Sequence, residues 1–342
     1  VVFTTHTPEL AGNEEHRFSL LAEMSFFHHF QDHEIKKILD LSGDQFNYTL
    51  AALRFARKAN GVSKIHGEVA REMWTSYSGI CPIISITNAQ NKRYWKDSVY
   101  DLALVNNEDS NLIQRKLDMK KELFRKVLNE TGKKMDPEVL TLVWARRFAG
   151  YKRADLLISH WEEFCNIIHN QEQPLQILWA GKPYPEDFGA IAVFNQILRK
   201  IKPFSNCAIL TGYELELSAL LKRGSDLWLN NPRMYREASG TSGMTAAMNG
   251  SLNLSIPDGW IPEFAIDLHN AFILPKAPDT LGQEDRDHLE GQSLLSLLKD
   301  KIIPLYYEKP QHWLGMVKNA AREIVPEFDS DRMVKEYYEK LY

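Results

Sequence analysis

Cysteine is scarce in this chain: three residues, Cys81, Cys165 and Cys207, in 342. The number is odd and the spacing is not that of a metal-ligand set. A disulfide framework is therefore excluded as the organising device, no metal site is expected, and a reducing, cytoplasmic compartment is the expectation. No apolar run is long enough to span a bilayer, and no signal peptide is recognisable, so no membrane partner is expected. Charge of one sign is not in excess either. Lys and Arg number 41 against 45 Asp and Glu, a formal net charge of −4, which gives no footprint for a nucleic-acid partner. Internal repeats and low-complexity tracts are absent. What remains is an ordinary globular balance, 44% hydrophobic and 25% charged, on a chain long enough for two domains.

The chain opens on Val1-Val2-Phe3-Thr4-Thr5-His6, which reads as a strand already in progress. The expectation is that native sequence precedes Val1. Periodicity predicts helices over 47–60 and 62–74, separated by Gly61, then an apolar strand over 82–87 and a long amphipathic helix over 109–130. Thr131 to Pro137 reads as a linker. Beyond it the rhythm becomes regular. Apolar strands are expected at 140–145, 175–180, 207–210, 227–230 and 252–256. Helices are expected at 153–168, 188–201, 215–222 and around 244–248. That alternation implies βαβ units and a doubly wound parallel sheet, an α/β fold. Ligands of such sheets gather at the carboxyl ends of the strands. Residues 267–289, with Pro275, Pro278 and Gly282, suit a mobile loop, and the chain from about Leu289 onward reads as helical.

Four polar clusters follow predicted strands. Arg146-Arg147-Phe148-Ala149-Gly150-Tyr151-Lys152-Arg153 places Arg147 and Lys152 on either side of a glycine turn that leads into a helix. Cations beside aligned N–H groups suit a phosphate, although a solvated basic turn has the same composition. Ala180-Gly181-Lys182-Pro183 reads as a structural turn. Tyr213, in Thr211-Gly212-Tyr213-Glu214, fits packing or a contact with a ring or phosphate. The fourth cluster is Arg236-Glu237-Ala238-Ser239-Gly240-Thr241-Ser242-Gly243-Met244. Small residues allow a ligand close to the backbone, Ser239 and Thr241 offer hydroxyls, and Glu237 can accept two sugar hydroxyls. A capped helix with a Gly-Ser turn would look alike. His6 and Asn88 also follow strands, as hydrogen-bonding or purely structural groups.

Taken in this order, the clusters resemble the glycogen/starch (α-glucan) phosphorylase family, in particular its short bacterial and archaeal branch. The most specific element is Glu237-Ala-Ser-Gly-Thr-Ser-Gly-Met followed by Met248-Asn249-Gly250. The resemblance implies a two-Rossmann-domain glycosyltransferase (type B) architecture with the site in the cleft. It also implies phosphorolysis of an α-1,4-glucan to glucose 1-phosphate with retention. Under it, His6, Asn88, Glu237, Ser239 and Gly240 match residues that bind the glucosyl unit. Arg147, Lys152, Tyr213 and Thr241 match residues that hold substrate and cofactor phosphates, and Arg147, Lys152 and Glu237 would carry catalysis. The implied partners are the glucan and phosphate or a sugar phosphate, and a homo-oligomer is compatible with the family.

The chain also departs from the family. Pyridoxal phosphate is expected as a Schiff base on a lysine just after Ser-Gly-Met, but Ser242-Gly243-Met244 is followed by Thr245. A hydroxyl cannot form an imine, so covalent attachment there is excluded. Asn88 is followed by Ala89-Gln90, where the family has glycine. The glycine-rich phosphate loop of the first domain is not visible, and that domain is expected to be incomplete, so the fragment alone is expected to be inactive. The expected organisation is a first, glucose-binding part over 1–135, a phosphate and cofactor part over 136–288, and carboxyl-terminal helices over 289–342 that pack back across both. Loss of the lysine leaves two alternatives open. One is a nucleotide-sugar-dependent transferase whose Arg147 and Lys152 hold a diphosphate. The other is a non-catalytic glucan-binding module.

Overall fold

Short parallel strands with helices between them build the chain into two units, described in a computed structural model for residues 1–41 and 43–342. The first unit comprises Val1–Asn88, Tyr235–Ser239 and Met333–Tyr342; the second comprises Ala89–Met234 and Gly240–Arg332.

In the first unit, β1 (Val2–Thr4) is followed by an antiparallel pair, β2 (Glu15–Arg17) and β3 (Gln45–Asn47). Next come β4 (Lys58–Gly61) and β5 (Ile83–Ser85). The parallel sheet has the order β1-β4-β5, with Phe3 opposite Ala59 and Ala59 opposite Ile83. Leu53, Ala59, Trp74 and Ile83 form its core. β4 corrects the expected helix over 47–60, which ends at Phe55. Lys-Ala-Asn-Gly has no strand-forming composition. It is a strand because it is the central one, paired in parallel with β1 on one side and β5 on the other, and its last residue must be glycine: a Cβ on Gly61 would lie 2.7 Å from Gly67 of the helix Lys64–Met73 packed over it. The terminal segment returns to this sheet, where Asn60 donates to the Tyr337 hydroxyl at 3.3 Å.

The second unit is built on six parallel strands: β6 (Leu140–Ala145), β7 (Leu175–Ala180), β8 (Cys207–Leu210), β9 (Leu227–Asn230), β10 (Leu252–Ser255) and β11 (Phe272–Ile273). Their order is β11-β10-β9-β6-β7-β8. β6 and β7 are buried at every position, as a sheet covered on both faces requires. Leu140, Leu142 and Trp144 join a core with the helices Trp161–Ile168 and Phe188–Ile201. Val143 and Ala145 join another with the helices Asp109–Thr131 and Leu215–Gly224. Two further expectations are corrected. The helix expected from Arg153 begins at Trp161, because Arg153 adopts a left-handed φ of 49° and only short 3-10 turns precede the helix. Residues 267–289 are not a plain loop: β11 adds to the sheet beside β10, and a helix starts at Gln283.

At the amino edge of this sheet a buried ion pair joins Lys120 to Asp226. Asp226 Oδ2 also accepts the Thr141 N–H at 2.9 Å, and Lys120 donates to the Val139 carbonyl at 2.8 Å. The pair thus ties the long helix to the starts of β6 and β9. Asp226→Ala should cost about 3–5 kcal/mol in urea unfolding, because it strands an ammonium in the core. Adding Lys120→Met should recover part of the loss but not all of it, since the Thr141 N–H stays unpaired.

Candidate functional site

The strand order of the large sheet reverses at β6. The chain steps outward through β7 and β8, then crosses to the other side of β6 to lay down β9. The crevice at the carboxyl ends of β6 and β9 is therefore the switch point, where ligands of open α/β sheets bind. The basic cluster follows β6 and the Gly240–Met244 run follows β9, so the topology brings two of the sequence clusters to one place. Arg146 is buried and turned back across the crevice. Its guanidinium donates to Asn230 Oδ1 and to the Leu229 carbonyl at the end of β9, the latter at 3.1 Å. Arg147, the next residue, is exposed and makes no hydrogen bond or ion pair among the described residues. Lys152 lies on a 3-10 turn, Gly150–Lys152, with its ammonium 4.7 Å from the Tyr151 ring. Arg153 is structural: it donates to the Asn231 and Pro232 carbonyls and pairs with Asp287 and Glu290.

Tyr213, beyond β8, reaches the same edge. Its hydroxyl donates to the Ala145 carbonyl at 3.4 Å and lies 3.3 Å from Ser218 Oγ. Burial pushes the phenol above its ordinary pKa against the opposing effects of Ser218 and Arg146, so it stays a proton donor. Gly181 is structural, as expected: with φ 131°, a Cβ there would sit 2.1 Å from the Arg146 carbonyl. After β9, Gly240 adopts φ 88° before the helix Thr241–Ala247. Two indoles fix that turn: Trp260 donates to the Gly240 carbonyl at 3.1 Å and Trp228 to Ser242 Oγ at 3.3 Å. Thr245 is 1% exposed, and its hydroxyl donates within the helix to the Ser242 carbonyl at 3.0 Å.

The other candidates belong to the first unit, and there too they follow parallel strands. His6 comes after β1, and partial dehydration lowers its imidazole below the ordinary value. Asn88 comes after β5, its N–H donating to the Val62 carbonyl at 3.0 Å. Glu237 and Ser239 arrive on the segment Tyr235–Ser239, which is stitched to the same strand ends. Arg236 pairs with Glu9, and Ser63 Oγ donates to the Ala238 carbonyl at 2.7 Å. Ser63 also caps the helix Lys64–Met73 by accepting the His66 N–H at 3.1 Å. Ser239 is 5% exposed and its hydroxyl has no partner among the described residues, an unspent polar group at this edge. Neither Ala89 nor Gln90 has a positive φ, so the backbone after Asn88 takes a course that alanine tolerates.

With two polar edges in place, similarity to known proteins decides the kinship. The family model for carbohydrate phosphorylase matches residues 47–273. The chain belongs to that family. Over its whole length it is 42% identical to an uncharacterized protein of Methanocaldococcus jannaschii and spans 63% of that protein. It is 32% identical to the maltodextrin phosphorylase of Thermococcus litoralis, of which it spans 46%. It is 31% identical to the glycogen phosphorylase of Aquifex aeolicus, of which it spans 57%. The chain therefore spans about half of the phosphorylases it matches.

Reading the sequence did not single out Arg146, Ser63 or the Arg236–Glu9 pair. Arg146 had one signal, its place directly after a wholly buried strand. Ser63 had another, the position just ahead of an amphipathic helix. The ion pair had none, because its partners are 227 positions apart. Ser63→Ala should lower stability by about 1 kcal/mol through loss of the cap. It should also speed amide exchange in Glu237–Ser239; unchanged exchange there would show that other contacts hold the segment.

Proposed function

We infer that the chain forms part of a retaining hexosyltransferase of the glycogen/starch phosphorylase type, built on the two-Rossmann, type B plan. The reaction is cleavage of an α-1,4-glucan by phosphate, giving glucose 1-phosphate and a shortened glucan. The observation that carries this reading is the shared edge at the carboxyl ends of β6 and β9. There the Arg146-to-Lys152 cations, the Tyr213 hydroxyl and the Gly240–Thr241 turn share one edge. Arg147 and Lys152 would hold the phosphate, with Tyr213 and Thr241 donating to it. On the first unit, Glu237 would accept glucosyl hydroxyls, and His6, Asn88 and Ser239 would line the sugar. In the reaction the bond from C1 to the bridging oxygen breaks. A phosphate oxygen bonds to C1 on the same face, and the proton that phosphate gives up goes to the departing glucan oxygen. The cations stabilise phosphate beside the developing positive charge at C1.

Pyridoxal phosphate does not fit as a covalent group at position 245. Thr245 offers a hydroxyl where an imine needs an amine, and that hydroxyl is already committed to the Ser242 carbonyl. The same observation favours a second reading, a transferase that uses a nucleotide sugar and holds its diphosphate on Arg147 and Lys152.

Two donor assays on the intact protein separate the readings. Glucan and phosphate should give glucose 1-phosphate; turnover with a nucleotide sugar alone would replace this reading by the second. Glucan binding without either turnover would leave a binding module. Arg147→Ala should weaken phosphate about 10- to 100-fold with glucan affinity unchanged, the loss of a charge-assisted hydrogen bond. Glu237→Ala should do the reverse. After borohydride reduction of the protein mixed with pyridoxal phosphate, no adduct should map to position 245, and Thr245→Lys should gain one there if the phosphate cradle is retained.

A further inference from the structure

At the opposite, amino edge of the large sheet lies a cavity of about 250 Å³. The helix Asp109–Thr131 forms one wall with Leu112 and Leu117, and the helix Pro310–Asn319 forms another with Trp313 and Leu314. Lys116, Lys120 and Asp226 are its charged groups. Lys120 and Asp226 neutralise each other, and their remaining hydrogen bonds go to the Val139 carbonyl and the Thr141 N–H.

Lys116 is different. Its ammonium donates to two backbone carbonyls, Arg223 at 2.9 Å and Asn249 at 3.0 Å, and has no carboxylate partner among the described residues. An ammonium has three N–H groups, so one donor is left over, on a cation in an apolar cavity. Burial lowers its pKa to about 7, against the opposing pull of the Asp226 carboxylate. An apolar chamber with one surplus positive charge is complementary to a flat apolar molecule bearing one carboxylate. The Trp313 indole supplies a face for a ring to pack on.

Lys116 also connects the cavity to the helix after β9. Its acceptor Asn249 is fully buried and holds four elements together. The Asn249 side chain donates to the Thr245 carbonyl at 2.9 Å and the Trp95 carbonyl at 3.0 Å, and accepts the Asp97 N–H at 2.9 Å. A carboxylate that draws Lys116 toward itself competes with the carbonyl of Asn249, whose side chain holds the Thr245 carbonyl of the Thr241–Ala247 helix.

We propose that this cavity is a second ligand site, which takes a small aromatic carboxylate on Lys116 and is coupled through Asn249 to the helix Thr241–Ala247. The proposal stands apart from the assignment of phosphorolysis, and its test does not read activity. The probes are 2-naphthoate and its neutral counterpart 2-naphthamide, titrated calorimetrically into the intact protein. Naphthoate should bind one molecule per chain, and the amide about 10-fold more weakly or worse, the value of a charge-assisted hydrogen bond. Lys116→Met should bring naphthoate down to the level of the amide. Ile113→Trp should block both; Ile113 stands on the rim and is 48% exposed, so the fold tolerates the change and the variant decides the matter even if Lys116→Met does not fold. Naphthoate should also alter amide exchange in Met244–Asn249. Equal binding of acid and amide, no binding at millimolar concentration, or binding unaffected by Ile113→Trp overturns the site. Binding with exchange unchanged in Met244–Asn249 overturns the coupling.

Discussion

β6 and β9 lie side by side although 81 residues separate Leu140–Ala145 from Leu227–Asn230, and the layout of the second unit depends on that pairing. The register is Leu142 with Leu227 and Val143 with Trp228. It is secured at both ends by charge. At the amino end Asp226 accepts the Thr141 N–H and pairs with Lys120; at the carboxyl end the Arg146 guanidinium donates to Asn230 and Leu229. Each clamp is desolvated, so each is costly to break and insists on one register. Because the pairing is parallel, the loops that leave β6 and β9 emerge on the same edge, and the basic cluster and the glycine-rich run become neighbours.

That glycine-rich run is divided between the two units. Tyr235–Ser239 belongs to the first and Gly240 onward to the second. In the first, Ser63 and Glu9 anchor it beside the strand ends that carry His6 and Asn88. In the second, Trp260 and Trp228 fix its turn into the helix. The run is thereby held by separate scaffolds on the two sides of the Ser239–Gly240 bond. Thr245 sits one helical turn further on, a buried hydroxyl spent on its own helix.

Much of the second unit was legible in the sequence. The strands at 140–145, 175–180, 207–210 and 227–230 were read at their observed bounds, since burial on both faces leaves an unbroken apolar run between polar turns. β4 was not legible, because Lys-Ala-Asn-Gly has little strand propensity and is held as a strand by β1 and β5, distant in the chain. The delayed start of the helix at Trp161 was hidden for a similar reason: the left-handed turn at Arg153 is held by Asn231, Asp287 and Glu290, all distant in the chain.

The candidate site divides in the same way. The sequence by itself determined the kind of groups present: guanidinium and ammonium after one strand, small residues and hydroxyls after another, and a hydroxyl instead of an amine at 245. Those are matters of residue type and local spacing, and no fold could alter them. Only the tertiary structure decided which arginine is spent and which is available. Arg146 and Arg147 are adjacent and chemically identical, yet one is buried against Asn230 and the other faces solvent. The strand's alternation of faces and the partner strand brought beside it settle that difference, and both depend on β9, which the local sequence around Arg146 does not contain.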